Sequence, residues 1–312
     1  MPIEPNAELS RRRFVALAAT GVATTLVSRR AWPEHTPIPA GIQLYTVGAD
    51  MEKDPAGTLK KIAEIGYAEV ETAGFGKLSA AQFRSLISDA GLRVPSAHLQ
   101  FGMQETAKLL DDAKALGVTY VVSSVLLAEP PAHADFKGFL AALNSRTADE
   151  YKRTAAKANE IAQQAKAAGL QYAYHNHNFE FRDLGGGQTG YDILLRETDP
   201  SLVKFEADCG WMRVAGADPV AYLSRHPERY VMLHIKDFKN LTKPVTTLLG
   251  PDAPTPTELG RGSIDLKSIV EAGRKAGIRH MFVEQEPPFT EMPALEAAAV
   301  DYKCLHSLLA SG

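Results

Sequence analysis

From residue 40 onward, short runs of apolar and β-branched residues alternate with longer stretches whose apolar positions recur every three or four residues. The short runs predict eight strands, at 42–46, 68–71, 94–100, 119–123, 171–177, 203–208, 230–236 and 280–286. Helical periodicity covers 55–65, 80–90, 106–116, 148–168, 219–224, 264–276 and 292–309. Gly66, Gly91, Gly117, Gly169 and Gly277 each stand just past a helical stretch, where helix ends favour glycine. Eight strands alternating with helices predict an α/β fold, a closed (β/α)8 barrel over residues 36–312. No glycine-rich phosphate fingerprint follows the first strand, which counts against an open dinucleotide-binding sheet.

Two connections break the short-loop rhythm, 125–147 after the fourth strand and 240–259 after the seventh. Both fall on the face where strands end, so they are expected to serve as lids or walls over a site. With 45% hydrophobic residues, the 312-residue chain has enough apolar material for one large core. The formal charge is −3, but residues 1–32 hold five Arg against two acidic residues. The remainder therefore carries 29 basic against 35 acidic groups, a net of −6, the wrong sign for a nucleic-acid face. Cys209 and Cys304 are too few for a disulfide framework and are expected to be free.

The N-terminus reads as an address. Ser10-Arg11-Arg12-Arg13-Phe14 resembles a twin-arginine export signal, followed by a mild Ala/Gly/Thr-rich stretch at 14–27 that is too short to span a bilayer. Residues 1–35 are thus expected to be a leader recognised by the twin-arginine translocase, with the folded product periplasmic or secreted.

The chemistry concentrates at strand ends. The segments YHNHNFEF at 174–181, FEADCGW at 205–211, HIKD at 234–237 and VEQE at 283–286 each close a predicted strand. Strand alternation puts Glu206 with Asp208, His234 with Lys236, and Glu284 with Glu286 on common faces. Any one of these would ordinarily be a satisfied core or capping residue. Such residues on successive strand ends instead point to one rim site for a divalent metal, and the oxygen and imidazole mixture suits Mn²⁺, Mg²⁺, Co²⁺ or Zn²⁺.

Together with GIQLYTV at 41–47 and Gly260-Arg261-Gly262, these segments resemble the xylose-isomerase-like TIM barrel superfamily, in its sugar phosphate isomerase/epimerase branch. The resemblance implies one divalent ion, Mn²⁺ favoured, held by Asp208, His234, Glu284 and a strand-five residue. Where relatives often have Glu-Asn-His this chain has His175-Asn176-His177, so His175 and Glu180 both stand as the strand-five ligand. It further implies Glu180, Glu286 and His177 as acid/base groups, with His98, Trp211, Lys236 and Arg261 binding substrate. The expected reaction is isomerisation or epimerisation of a sugar or keto-sugar, by proton abstraction next to a carbonyl through a metal-stabilised enediolate. The alternatives are a lyase or dehydratase acting on 3-keto-glycosides or inososes, and a non-catalytic periplasmic carbohydrate-binding barrel. Homodimers are common among such barrels.

Overall fold

In the computed structural model, which describes residues 37–129, 135–248 and 252–311, eight parallel strands close on themselves. They are β1 Ala40–Gln43, β2 Glu69–Thr72, β3 Arg93–His98, β4 Tyr120–Ser123, β5 Gln171–His175, β6 Val203–Asp208 and β7 Tyr230–Ile235, with β10 His280–Val283 completing the ring. A small antiparallel hairpin, β8 Asp237–Lys239 with β9 Thr255–Thr257, stands between β7 and β10. The helices are α1 Gly48–Lys53, α2 Pro55–Ile65, α3 Ala80–Asp89, α4 Thr106–Leu116, α5 Phe136–Asn144, α6 Ala148–Ala167, α7 Gly190–Glu197, α8 Cys209–Val214, α9 Pro219–Arg225, α10 Leu266–Lys275 and α11 Ala294–Ala310. The leader at 1–35 lies outside the described residues. Among the described residues no helix is long and apolar enough to cross a membrane, and Cys209 and Cys304 are free.

The (β/α)8 barrel expected from the hydrophobic pattern is present. The five predicted helix-ending glycines all have positive φ, from 76° to 122°. Gly66 is the least replaceable, because a Cβ there would also sit 2.4 Å from the Tyr302 ring. Helix starts are set locally: Ser79 with Gln82, Thr147 with Glu150, and Thr189 with Asp192 form reciprocal capping boxes on α3, α6 and α7.

Strand alternation stacks the barrel interior in layers. Glu69 and His280 pair at 2.8 Å toward the strand starts. Above them Val122, Ala173, Met232 and Phe282 form a small apolar plug of fully buried side chains. Gly41 makes room for that plug, since a Cβ there would lie 2.4 Å from Phe282 Cδ1. The next layer toward the strand ends is polar: Gln43, Glu71, His98, His175, Glu206 and His234. An apolar plug under a buried charged layer keeps that layer dry from below and directs it to the C-terminal mouth.

Five strands, β1, β3, β5, β7 and β10, end earlier than predicted. Pattern reading also missed α1, α5, α7, α8 and the hairpin. α1 and α8 are six-residue helices, shorter than two full periods. α5 lies inside the long 125–147 connection.

Candidate active site and metal centre

Two overlapping groups of side chains could each hold a cation: His175, Asp208, His234 and Glu284, and, deeper, His98, His175, Glu206 and His234. Ligand atoms within each group lie within 4.8 Å of one another. They come from adjacent strands β5, β6, β7 and β10, with His98 contributed by β3. Asp208, His234 and Glu284, expected as ligands, are therefore brought together.

His175 joins them and Glu180 does not. Glu180 lies in the one-turn helix Phe179–Phe181, fully buried. One of its oxygens accepts from the Tyr174 hydroxyl at 2.9 Å and the other from the His177 amide at 2.9 Å. Burial pushes its carboxyl up to about 7. It ties down the loop that carries His177 and faces away from the cation-holding group.

Deeper groups orient the imidazoles. Burial holds His175 well below the ordinary imidazole range, so it is neutral. Its Nδ1–H donates to Glu206 at 3.0 Å, which leaves the Nε2 lone pair facing Asp208 Oδ2 at 3.7 Å. His234 behaves oppositely. Burial disfavours its proton, but Glu206 and Glu284 hold its pKa well above the usual range. Nδ1 donates to Glu284 at 2.8 Å and Nε2 to Glu71 at 2.6 Å. His98 is likewise pushed up to about 10, against the effect of burial, by Glu71 and Glu206. Glu206 itself is drawn down to about 2; burial and Glu71 oppose this, and the histidines outweigh them.

Lys236 is the ammonium in the middle of this acidic ring. Its Nζ lies 2.9 Å from Asp208, 2.8 Å from Glu284 and 2.5 Å from Glu286. Those carboxylates keep it well above its ordinary pKa despite complete burial. Asp208 is raised to about 6, burial outweighing Lys236 and His234. Asp208 also caps α8 by accepting from the Trp211 amide at 2.7 Å, which fixes its carboxylate at the strand end.

The residues fit a divalent ion. Glu206 Oε1 and Glu71 Oε1 are buried without a hydrogen-bond donor. Asp208 Oδ2 faces the lone pair of His175 at 3.7 Å and is charge-balanced by the Lys236 ammonium at 2.9 Å. The carboxylates Glu71, Glu206, Asp208, Glu284 and Glu286 outnumber the cations that face them, Lys236, His98 and His234, and a double positive charge relieves that excess.

The remaining predicted residues divide. His98 belongs to the polar layer and borders the cavity, while His177 and Glu286 line the cavity wall. Trp211 stands behind Lys236, its ring 5.3 Å from Nζ, and its indole N–H donates to Glu286 at 3.0 Å. It supports Glu286 and is not part of the cavity lining. Arg261 points to Glu258 at 3.4 Å, also away from the cavity. The Gly260-Arg261-Gly262 segment has a structural role instead. Asp237 accepts from the amides of Gly260, Gly262 and Ile264 at 3.0, 2.9 and 3.2 Å, which locks this loop to the strand-seven end. A Cβ at Gly262 would fall 2.1 Å from Asp237 Oδ1.

The polar layer forms the floor of a cavity of about 570 Å³, bordered by Gln43, His98, His175, Glu284 and Glu286. The two long connections serve as its walls: α5 contributes Phe139 and Leu140, and the 240–259 segment contributes Leu248. Asn144 holds Leu248 through paired bonds of 2.8 and 3.2 Å, and Asn178 donates to Val245 and Thr247 carbonyls. Gln43, Glu71 and Glu206 are site residues that the sequence reading undervalued; their period-two placement one step inside the strand ends was the available signal.

Comparison with known proteins agrees with this architecture. Residues 59–305 match the model of the xylose isomerase-like TIM barrel family. The inosose dehydratase of Lacticaseibacillus casei is 30% identical over 153 residues, 45% of this chain and 49% of that protein. The chain thus spans about half the length of the curated relatives it matches. Among solved structures, a sugar phosphate isomerase/epimerase from Parabacteroides distasonis superposes with a TM-score of 0.68 at 25% identity, covering 86% of this chain and 98% of that one. A xylose isomerase-like TIM barrel protein from Mycobacterium smegmatis, solved with magnesium, gives 0.59 at 18% identity over 90% of this chain and 99% of that one, a likeness of fold. A closed barrel with its acidic and imidazole groups gathered at the strand ends, matched over residues 59–305, makes this chain a member of the xylose isomerase-like TIM barrel family.

Proposed function

We propose that the protein is a divalent-metal-dependent enzyme that removes a proton from the carbon next to a carbonyl in a sugar or keto-sugar, isomerising or epimerising it. The observation that carries this reading is the convergence of His175, Asp208, His234 and Glu284 on the floor of an open cavity. These four residues would hold the ion, with Mn²⁺ the favoured metal and Mg²⁺, Co²⁺ or Zn²⁺ compatible with the same donors. When bound, the ion supplies Lewis-acid stabilisation of the negative charge that develops on the substrate oxygens.

The chain's own residues do the rest. Glu286 borders the cavity and is held by Lys236 and Trp211, so it is the carboxylate available to take the proton. His177, kept neutral because burial pulls its pKa down to about 4, also lines the cavity and can hydrogen-bond a substrate oxygen as a neutral imidazole. Glu180 positions His177 through its amide and is not itself assigned a proton. Lys236 offers its ammonium to substrate oxygens while balancing Asp208 and Glu284.

A second reading, dehydration of an inosose or elimination from a 3-keto-glycoside, is favoured by the similarity to inosose dehydratases. The experiment is incubation in D₂O with keto-sugars, inososes and 3-keto-glycosides, with Mn²⁺ or with EDTA, followed by mass spectrometry. Metal-dependent deuterium uptake with conserved substrate formula supports isomerisation or epimerisation; loss of water or aglycone supports the second reading. No exchange on any substrate refutes both and leaves a binding barrel. The arginine motif at 11–13 supports export of the folded protein by the twin-arginine route, which a reporter fusion to residues 1–35 tests.

A further inference from the structure

The cavity has two chemically different halves, and the proposed function uses only one. Among the described residues, three large hydrophobic side chains are exposed, Tyr45, Met103 and Phe136, and all three border this cavity. Phe136 is 68% and Met103 64% exposed, a costly position for side chains with no partner. α5 explains the pattern. Its Phe136, Phe139, Leu140 and Leu143 stand at helical spacing on one stripe, yet only Leu143 is buried. A helix normally packs such a stripe onto the core, whereas this one turns it into the cavity above the polar floor.

A free sugar or inosose carries hydroxyls around its ring and would bury several of them, unpaired, against that wall. The volume of about 570 Å³ is in the range that takes drug-sized ligands, more than a lone sugar ring requires. We propose that the apolar half is an aglycone subsite: the substrate is a keto-glycoside whose sugar end lies on the charged floor and whose aromatic-sized apolar substituent packs against Phe136, Phe139, Leu140 and Met103. The proposal rests on the floor being the sugar site and adds what the sugar is attached to.

Binding calorimetry on the full, Mn²⁺-loaded chain tests it without requiring turnover. The probes are the α and β 4-nitrophenyl glucosides and galactosides, with the methyl glycosides and cellobiose as comparisons. The expected result is that at least one aryl glycoside binds tenfold or more tightly than its methyl counterpart. That preference is expected to fall to within about twofold in Phe136→Ala/Met103→Ala. Equal affinity across aryl and methyl glycosides, absent binding of all aryl probes, or an equal gain from cellobiose overturns the subsite. So does a solution dimer lost in the double variant, which would give these side chains another partner. Failure of the D₂O exchange with this preference intact would instead refute the reaction and keep the subsite.

Discussion

Replacing Lys236 by Met removes the one ammonium among Asp208, Glu284 and Glu286 while keeping an unbranched apolar stem of similar length. Nζ lies within 2.9 Å of all three carboxylates and is fully buried with Asp208, so the removed interactions are among the least screened in the chain. Taking one partner from a buried ion pair costs about 3–5 kcal/mol, because buried Asp208 loses its ammonium and the three carboxylates left behind repel one another. For a chain of this size that corresponds to a fall in Tm of roughly 10 °C in EDTA. A divalent ion held by His175, Asp208, His234 and Glu284 replaces the missing charge and no longer meets repulsion from the ammonium. Saturating Mn²⁺ is therefore expected to recover at least about half of the loss, and to raise the variant's Tm more than that of the parent. The assay is thermal unfolding followed by circular dichroism, with EDTA and with Mn²⁺. An equal drop in both conditions refutes the reasoning, because the ion and the ammonium would then not share a charge site. An unchanged Tm in EDTA would show that the acidic ring does not need Lys236.

His175→Ala is expected to weaken Mn²⁺ binding by about a hundredfold or more, whereas Glu180→Gln leaves it within a few-fold of the parent, because Glu180 is bonded to Tyr174 and the His177 amide; metal titration by calorimetry separates the two. Asp301, away from the site, accepts from the Leu259 amide at 2.7 Å while its other oxygen is buried without a donor, and burial raises its pKa to about 7. The folded state thus retains a proton that the unfolded chain loses from about pH 4, so stability from this group declines as pH rises from about 4 to 7, by up to about 1.4 kcal/mol per pH unit. Asp301→Asn should flatten that decline and raise stability at pH 8 in urea unfolding; a steeper decline would contradict the assignment. Gly262→Ala forces its Cβ against Asp237 and should cost about 2–4 kcal/mol in the same experiment by breaking the clamp on the loop after β7; a loss below about 0.5 kcal/mol would show that the clamp is dispensable.

Much of the barrel was legible because period-two runs, helical periodicity and glycine stops repeat in step along the chain. Asp208, His234 and Glu284 were legible for the same reason: alternation within a strand fixes which side chains share the interior. The choice between His175 and Glu180 was not, since it depends on where a one-turn helix aims a carboxylate, and Tyr174 and the His177 amide settle its bonding only in three dimensions. Arg261 and Trp211, expected as substrate contacts, are not among the residues that line the cavity, because a motif gives position along the chain but not direction: Arg261 reaches Glu258, and Trp211 donates to Glu286. α5 escaped because its apolar stripe, FKGFLAALN, sits inside a long connection and packs toward a cavity, where ordinary core burial offers no cue.

The central claim is that four strand-end residues form one divalent-cation site. Its most direct test is metal content by inductively coupled plasma mass spectrometry after loading with Mn²⁺ and exhaustive dialysis, comparing the parent chain with Asp208→Asn and His234→Ala. One equivalent of Mn²⁺ in the parent, with less than about a tenth of an equivalent in each variant that remains folded by circular dichroism, is the predicted result. A parent chain that holds no metal, or folded variants that both keep a full equivalent, would contradict it.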